Sequence, residues 1–265
     1  MKKTVLITGI PRSGTSLLIK LLSEQHNTVC FSEPKWLKEI RHDKQSCEEF
    51  SKKLEEKIFN IRNEIKRGNP IELTTKKGSN KLPDNYYIKG ANKIVNVKET
   101  RLVHVEHSKD LIVCVKSNTL FTVCLQQLID KRPWKIISVV RNPLYVLLSW
   151  RSLDIPISKG LIKIGEIYSR EIREIVKEKN LLIRQVKILD WFYKTYFLYN
   201  KNTLKYEELV NDPQDIVNEI LNSINCRAIN LKTKNHEMNY SCKEKSEILR
   251  VLDAHAKHAK MFYSN

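Results

Sequence analysis

No run of eighteen apolar residues occurs in the 265-residue chain, which excludes an ordinary membrane-spanning helix. The first apolar segment begins at residue 4, and so short a lead predicts no signal peptide and a soluble, cytoplasmic protein. The six cysteines (Cys30, Cys47, Cys114, Cys124, Cys226 and Cys242) include no C-x-x-C pair. That argues against a zinc knuckle or a redox dithiol and predicts reduced, structural thiols. The seven histidines are also dispersed; His255 and His258 share a helical face, but two imidazoles make a poor metal site. No acidic residues form an obvious magnesium-binding pair, so no metal is expected.

A basic stretch interleaved with stacking aromatics is also missing. The net charge of +17 would suit a phosphate polymer. Its lysines, however, are spread from Lys2 to Lys260, and a single-strand platform needs aromatic rings among them. No nucleic-acid partner is expected. A diffuse positive field instead draws in an anionic small ligand or an acidic acceptor, or reflects a lysine-rich background.

What the chain does have begins at Thr4. Val5, Leu6 and Ile7 supply a short buried strand, Gly9 and Gly14 permit a tight turn, and Leu17, Leu18, Leu21 and Leu22 form one helical stripe. An anion at such a turn meets free N–H groups at a helix start. The segment Gly9-Ile-Pro-Arg-Ser-Gly-Thr-Ser16 is close to G-x-x-x-x-G-K-[ST], but Thr15 stands where the lysine belongs. Nucleoside-triphosphate hydrolases use that lysine on the outer phosphates, so its loss weakens that assignment. The positive charge sits instead at Arg12.

A chain of this length buries about three quarters of its unfolded surface, which suits one α/β domain over residues 1–265. A second strand is expected at Thr28–Phe31. Ser46-Cys-Glu-Glu49 is a capping box opening a long amphipathic helix that ends at Gly68. Residues 69–110, punctuated by Gly, Asn and Pro and carrying the alternating Leu102-Val-His-Val-Glu106, read as an inserted β-hairpin region. Strands follow at Leu111–Val115 and Ile136–Val140, with a helix from Thr119 to Ile129 between them. Asn142-Pro143 opens the next helix. Residues 160–200 read as largely helical, Thr203–Tyr206 as a last strand, Asp212-Pro213 as a helix start, and 248–259 as a C-terminal helix. The fold expected is α/β: a P-loop-like parallel β-sheet flanked by helices, with ligands at the strands' carboxyl ends.

Two further segments fall at such ends. Arg141 leaves a strand as a fixed cation and Ser149, eight residues on, lies about two turns into the next helix. The pair suits a second phosphate, or else is a surface ion-pairing arginine and a back-bonded helix serine. Lys205-Tyr-Glu-Glu-Leu-Val-Asn-Asp-Pro213 follows the last strand. Together with Pro11-Arg-Ser-Gly-Thr-Ser16 and Arg141-x7-Ser149, this resembles the sulfotransferases that use 3′-phosphoadenosine-5′-phosphosulfate (PAPS), in order and spacing from residue 4 to about 225.

The resemblance implies that Arg12, Ser13, Gly14, Thr15 and Ser16 hold the 5′-phosphosulfate. It also implies that Arg141 and Ser149 hold the 3′-phosphate and that Tyr206 approaches the adenosine. Cytosolic members of that family place a lysine at the position of Lys116 and a basic histidine two residues later, but this chain has Asn118 there. An amide cannot take the acceptor's proton. Glu33, twenty-one residues after Arg12, matches the spacing of the base in tyrosylprotein sulfotransferases. Its bland alternative is an ion pair with Arg12 or Lys35, as Lys116 is alternatively a solvated strand-end lysine. In the scheme implied, Glu33 is the base, and Arg12 and Lys116 stabilise the transferring group. The product is adenosine 3′,5′-bisphosphate (PAP), and no metal takes part.

The acceptor is expected to be a hydroxyl or amine of a saccharide, a glycolipid or other lipid-linked molecule, or a small metabolite; a peripheral membrane contact is compatible with this. Trp36, Tyr86 and Tyr87 either stack on it or pack the insertion. Two other function classes compete: a P-loop small-molecule kinase, and a catalytically silent nucleotide or polyanion binder.

Overall fold

The computed structural model describes residues 3–41, 45–79, 81–85, 87–89, 94–96, 98–131, 133–223, 226–231 and 241–263. The central sheet has five strands, all parallel, in the order β2 (Thr28–Ser32), β7 (Ile112–Lys116), β1 (Thr4–Gly9), β8 (Lys135–Val140), β9 (Thr203–Lys205). From β1 the chain first builds one side of the sheet and then crosses to the other. The turn after β1 therefore lies where the winding reverses, the usual ligand crevice of an open parallel sheet.

Strands β1, β2, β7 and β8 are buried almost along their whole length because both faces are covered, whereas the edge strand β9 buries only Leu204. On one face Leu6, Val113, Val115, Ile136 and Val140 join a core with α3 (Cys47–Lys66), α6 (Pro143–Arg151), α9 (Leu181–Tyr199) and α12 (Cys242–His255). On the other, Val5, Ile7, Ile112, Cys114, Ile137 and Val139 pack with α1 (Thr15–Ser23), α10 (Tyr206–Asn211) and α11 (Pro213–Leu221). The alternation along each strand assigns odd and even positions to opposite faces.

The capping box forms as the sequence predicts. Ser46 Oγ accepts from the Glu49 N–H at 3.2 Å, and Glu49 Oε2 accepts from the Ser46 N–H at 2.7 Å. Three expectations are modified. The helix expected over 119–129 is two helices, α4 (Asn118–Val123) and α5 (Leu125–Lys131), broken at Cys124. Thr122 Oγ1 bonds back to the Asn118 carbonyl at 2.8 Å, a contact that bends helices, in a β-branched stretch that forms them weakly.

Within 69–110 the outer pair is β3 (Ile71–Lys76) against β6 (Lys98–Val103), antiparallel, enclosing a smaller antiparallel pair of β4 (Tyr87–Lys89) and β5 (Ile94–Asn96). The alternating stretch expected to 106 leaves the ladder after Val103. The C-terminal helix begins earlier than the periodicity suggests, at Cys242, where Ser241 Oγ accepts from the Glu244 N–H at 3.2 Å. A short α13 (Ala259–Phe262) follows. Among the described residues, no helix is long and apolar enough to cross a membrane.

Candidate functional site

All five parallel strands deliver a predicted site residue from their carboxyl ends: Arg12 follows β1, Glu33 follows β2, Lys116 ends β7, Arg141 follows β8 and Tyr206 follows β9. Parallel pairing forces this convergence, since every strand ends on the same side of the sheet.

The turn after β1 is tightly constrained. Ser13 Oγ, wholly buried, donates to the Val139 carbonyl at 2.7 Å, and the Ile10 N–H reaches the same carbonyl at 3.1 Å. Gly14 sits at φ +99°, and a Cβ there would lie 2.4 Å from Cδ2 of Tyr206. The second glycine is thus needed both for its backbone angle and for the approach of the Tyr206 ring. Gly14 places no side chain over the start of α1, and the first turn of that helix carries no acidic residue. Its amide dipoles are left to face an anion.

Arg12 also has a positive φ, +75°. A non-glycine residue there is uncommon, and such strain persists where the surroundings over-determine it. Here Arg12 Nε donates to Ser149 Oγ at 3.2 Å and Nη1 to Asn85 Oδ1 at 3.0 Å, while Trp150 Nε1 donates to the Pro11 carbonyl at 2.7 Å. The structure therefore joins Ser149 to Arg12. Asn85, from the inserted region, was invisible to motif reasoning.

Lys116 and Glu33 meet. Ser32 pairs with Lys116 in the β2–β7 register, and the Glu33 N–H donates to the Lys116 carbonyl at 2.9 Å. At φ +48° Glu33 leaves the strand, and its Oε1 accepts from Lys116 Nζ at 3.2 Å. Nζ also lies 3.3 Å from Ser16 Oγ. The lysine missing from the turn is thus replaced in space by one from the neighbouring strand. The Lys116 side chain is only 4% exposed, whereas that of Glu33 is 49% exposed. The cation is embedded in the site floor, and the carboxylate is open to an incoming molecule. Lys116, a partner not weighed for Glu33 from the sequence, supplies the contact that defines this corner.

Asn118 begins α4, and its carbonyl accepts from Thr8 Oγ1 at 2.7 Å. Its Oδ1 is buried without a hydrogen-bond partner among the described residues.

Arg141 forms the second cluster. Its guanidinium lies 4.5 Å from the Tyr206 ring centroid and 6.0 Å from that of Tyr145, and Nη1 is 3.5 Å from the Arg12 carbonyl. Its Nε is buried without a partner among the described residues. An orphaned charged donor is costly unless a ligand meets it, and this one fits an anionic group. Asn142 caps α6 by accepting from the Leu144 N–H at 3.1 Å, with Pro143 at the first helical position. The motif residue Glu207, to which sequence reasoning gave no role, accepts from the Asn142 N–H at 3.0 Å.

Trp36 is buried, 5% exposed, edge-on to Phe31 at 5.7 Å. It packs the core and borders a cleft of about 210 Å³ shared with Glu39, Lys57, Asn60 and Glu72. Tyr86 lies outside the described residues.

Comparison with curated proteins returns no match. Among solved structures the chain is similar to a sulfotransferase from Alicyclobacillus acidocaldarius, at 16% identity over 99% of this chain and 96% of that one, with a TM-score of 0.42. The sulfotransferase family matches residues 4–228, a span that starts at β1, ends beyond α11 and contains all the positions assembled above. By that match over most of its length, the chain belongs to the sulfotransferase family.

Proposed function

We propose that the protein transfers a sulfonate group from PAPS to a hydroxyl or amine of a small-molecule, saccharide or lipid-linked acceptor. Family membership supports sulfonate transfer as the reaction class. The observation that carries the finer reading is the gathering of three cations at one end of the sheet. Lys116 and Arg12 border the glycine turn, and Arg141, whose buried Nε meets no partner among the described residues, stacks on Tyr206 with Nη1 3.5 Å from the Arg12 carbonyl. Three cations gathered around one turn suit a donor that carries more than one anionic group.

PAPS, when bound, supplies an activated sulfur with adenosine 3′,5′-bisphosphate as leaving group. The turn residues Arg12, Ser13, Gly14, Thr15 and Ser16 receive its phosphosulfate end, Arg141 and Ser149 the 3′-phosphate, and Tyr206 the adenosine. Charge-assisted hydrogen bonds of this kind contribute roughly 1.5–3 kcal/mol each. Glu33, exposed to an incoming molecule, takes the proton of the acceptor hydroxyl as its oxygen forms the new bond to sulfur. Lys116 and Arg12 stabilise the charge that builds on the sulfonate and on the bridging oxygen as the old sulfur–oxygen bond breaks. The Lys116–Glu33 contact holds the carboxylate in place until the acceptor arrives. The whole chain, residues 1–265, acts as one sulfotransferase domain with the 69–110 segment as its insertion.

A thermal-shift experiment tests the donor. PAP at a hundredfold excess over its dissociation constant is expected to add about 2.7 kcal/mol and raise melting by several degrees without magnesium. Stabilisation by ATP with magnesium instead would overturn the reading in favour of a kinase. Incubation of lysate with PAPS, followed by a mass search for products heavier by one sulfonate, tests the transfer. PAP binding with no such product from any acceptor would leave a silent nucleotide binder.

A further inference from the structure

The residues beyond the family match close back onto the Arg141 cluster. The peptide unit between Arg141 and Asn142 is held at both of its polar ends. Tyr193 Oη donates to the Arg141 carbonyl, and Glu207 Oε1 accepts from the Asn142 N–H at 3.0 Å. The other oxygen of Glu207 accepts from Tyr263 Oη at 2.6 Å. Tyr263 stands edge-on to Tyr193 at 6.3 Å and 78°, with Lys205 Nζ 5.3 Å from its ring centroid. α13, which carries the chain to Tyr263, is anchored by Asp190. One carboxylate oxygen accepts from the His258 and Ala259 N–H groups at 2.6 and 2.9 Å.

We propose that Tyr263 is a positioning residue for donor binding: through Glu207 it fixes the Arg141–Asn142 peptide and hence the direction in which the Arg141 guanidinium leaves β8. The inference rests on the reading of Arg141 as the 3′-phosphate arginine.

Three physical points support it. Pro143 restricts the ψ of Asn142, so the orientation of the preceding peptide is the main backbone freedom left in this segment. Two side-chain hydrogen bonds, one at the carbonyl and one at the N–H, remove that freedom. Burial, and then the Glu207 carboxylate itself, push the Tyr263 phenol well above its ordinary range, so it stays protonated and donates. An arginine already directed at its anion binds with less ordering cost than one that must be collected from several rotamers. Arg141 shows that preparation: it is stacked on Tyr206 with a buried Nε that meets no partner among the described residues.

The test uses the full chain with Tyr263→Phe, which keeps the ring and removes only the hydroxyl. The affinities of PAP and of adenosine 5′-phosphosulfate, which lacks the 3′-phosphate, are compared by calorimetry or competition. The expected result is a PAP dissociation constant raised about tenfold, with the affinity for adenosine 5′-phosphosulfate unchanged. In turnover, KM for PAPS rises and kcat at saturation is held. Glu207→Gln, whose amide oxygen still accepts from Asn142, is expected to lose less than Glu207→Ala. Wild-type PAP affinity in Tyr263→Phe, or an equal loss for both ligands, would overturn the proposal. Wild-type protein that fails to prefer PAP over adenosine 5′-phosphosulfate would overturn the 3′-phosphate reading itself. That outcome is read before any variant is made.

Discussion

Replacing Gly14 by alanine loads the turn in two ways that can be separated. At φ +99° a side chain is strained, at a cost of order 1–3 kcal/mol. The new methyl would also fall 2.4 Å from Cδ2 and 3.0 Å from Cε2 of Tyr206, far inside van der Waals contact. Moving the ring disturbs its contact with the Arg141 guanidinium, 4.5 Å from its centroid, a cation–π contact worth about 0.5–2 kcal/mol. Together the two effects amount to about 2–4 kcal/mol. For a chain of this size roughly 2–4 °C is lost per kcal/mol, so melting should fall by about 5–15 °C. The assay is calorimetry on Gly14→Ala, Tyr206→Ala and the double variant, combined as a thermodynamic cycle. Tyr206→Ala should relieve the clash but not the backbone strain, giving a coupling of about 1–2 kcal/mol. Melting of Gly14→Ala within about 2 °C of wild type, or strict additivity in the cycle, would refute the contact between the turn and Tyr206.

Other perturbations have distinct signatures. Glu33→Gln should lower kcat by roughly 10²–10⁴-fold while the PAP dissociation constant stays within a factor of two or so, because the carboxylate serves the acceptor's proton and not the donor's phosphates. Steady-state kinetics with a sulfonate-accepting substrate would check it, and an unchanged kcat would return Glu33 to a purely structural partner of Lys116. Arg141→Ala should raise KM for PAPS by about 10–100-fold, the loss of one or two charge-assisted hydrogen bonds, and normal saturation would show the 3′-phosphate site misplaced. Burial, their first cause, pushes the phenols of Tyr193, Tyr196 and Tyr263 up from the ordinary value. Below pH of about 10 both folded and unfolded chains keep them protonated; above it the unfolded chain ionises first, so stability is lost as pH rises towards the folded values. Tyrosinate absorbance for these three should appear together with loss of near-ultraviolet dichroism in an alkaline titration, and independent earlier ionisation would contradict their burial.

Strands β1, β2, β7 and β8 were legible because each is a short, mostly apolar run, and α3 because its capping box and apolar spacing are local features. The break at Cys124 was not, because it depends on the bond that Thr122 makes back to its own helix and on the hydroxyl of Tyr196, 2.7 Å away in α9. Within the site, the residues of the glycine turn, Lys116, Arg141 and Tyr206 announce themselves at strand ends. Glu207 carried a signal, its place in the Tyr206 motif, whose meaning appears only when Asn142 is beside it. Asn85 and Tyr263 carried none, since a hydrogen bond to Arg12 from 73 residues away, or to Glu207 from 56, leaves no periodicity to read.

By itself, the order of residues determined a βα-repeating chain whose phosphate-binding turn lacks its lysine, because strand, turn and helix propensities act over a few neighbours. Only the tertiary structure decided that Lys116 fills the vacant place beside Ser16, that Glu33 pairs with it, and that the C-terminal Tyr263 braces the Arg141 peptide. Those contacts depend on strand register and on which strand lies next to which, and these are settled by the packing of the whole sheet.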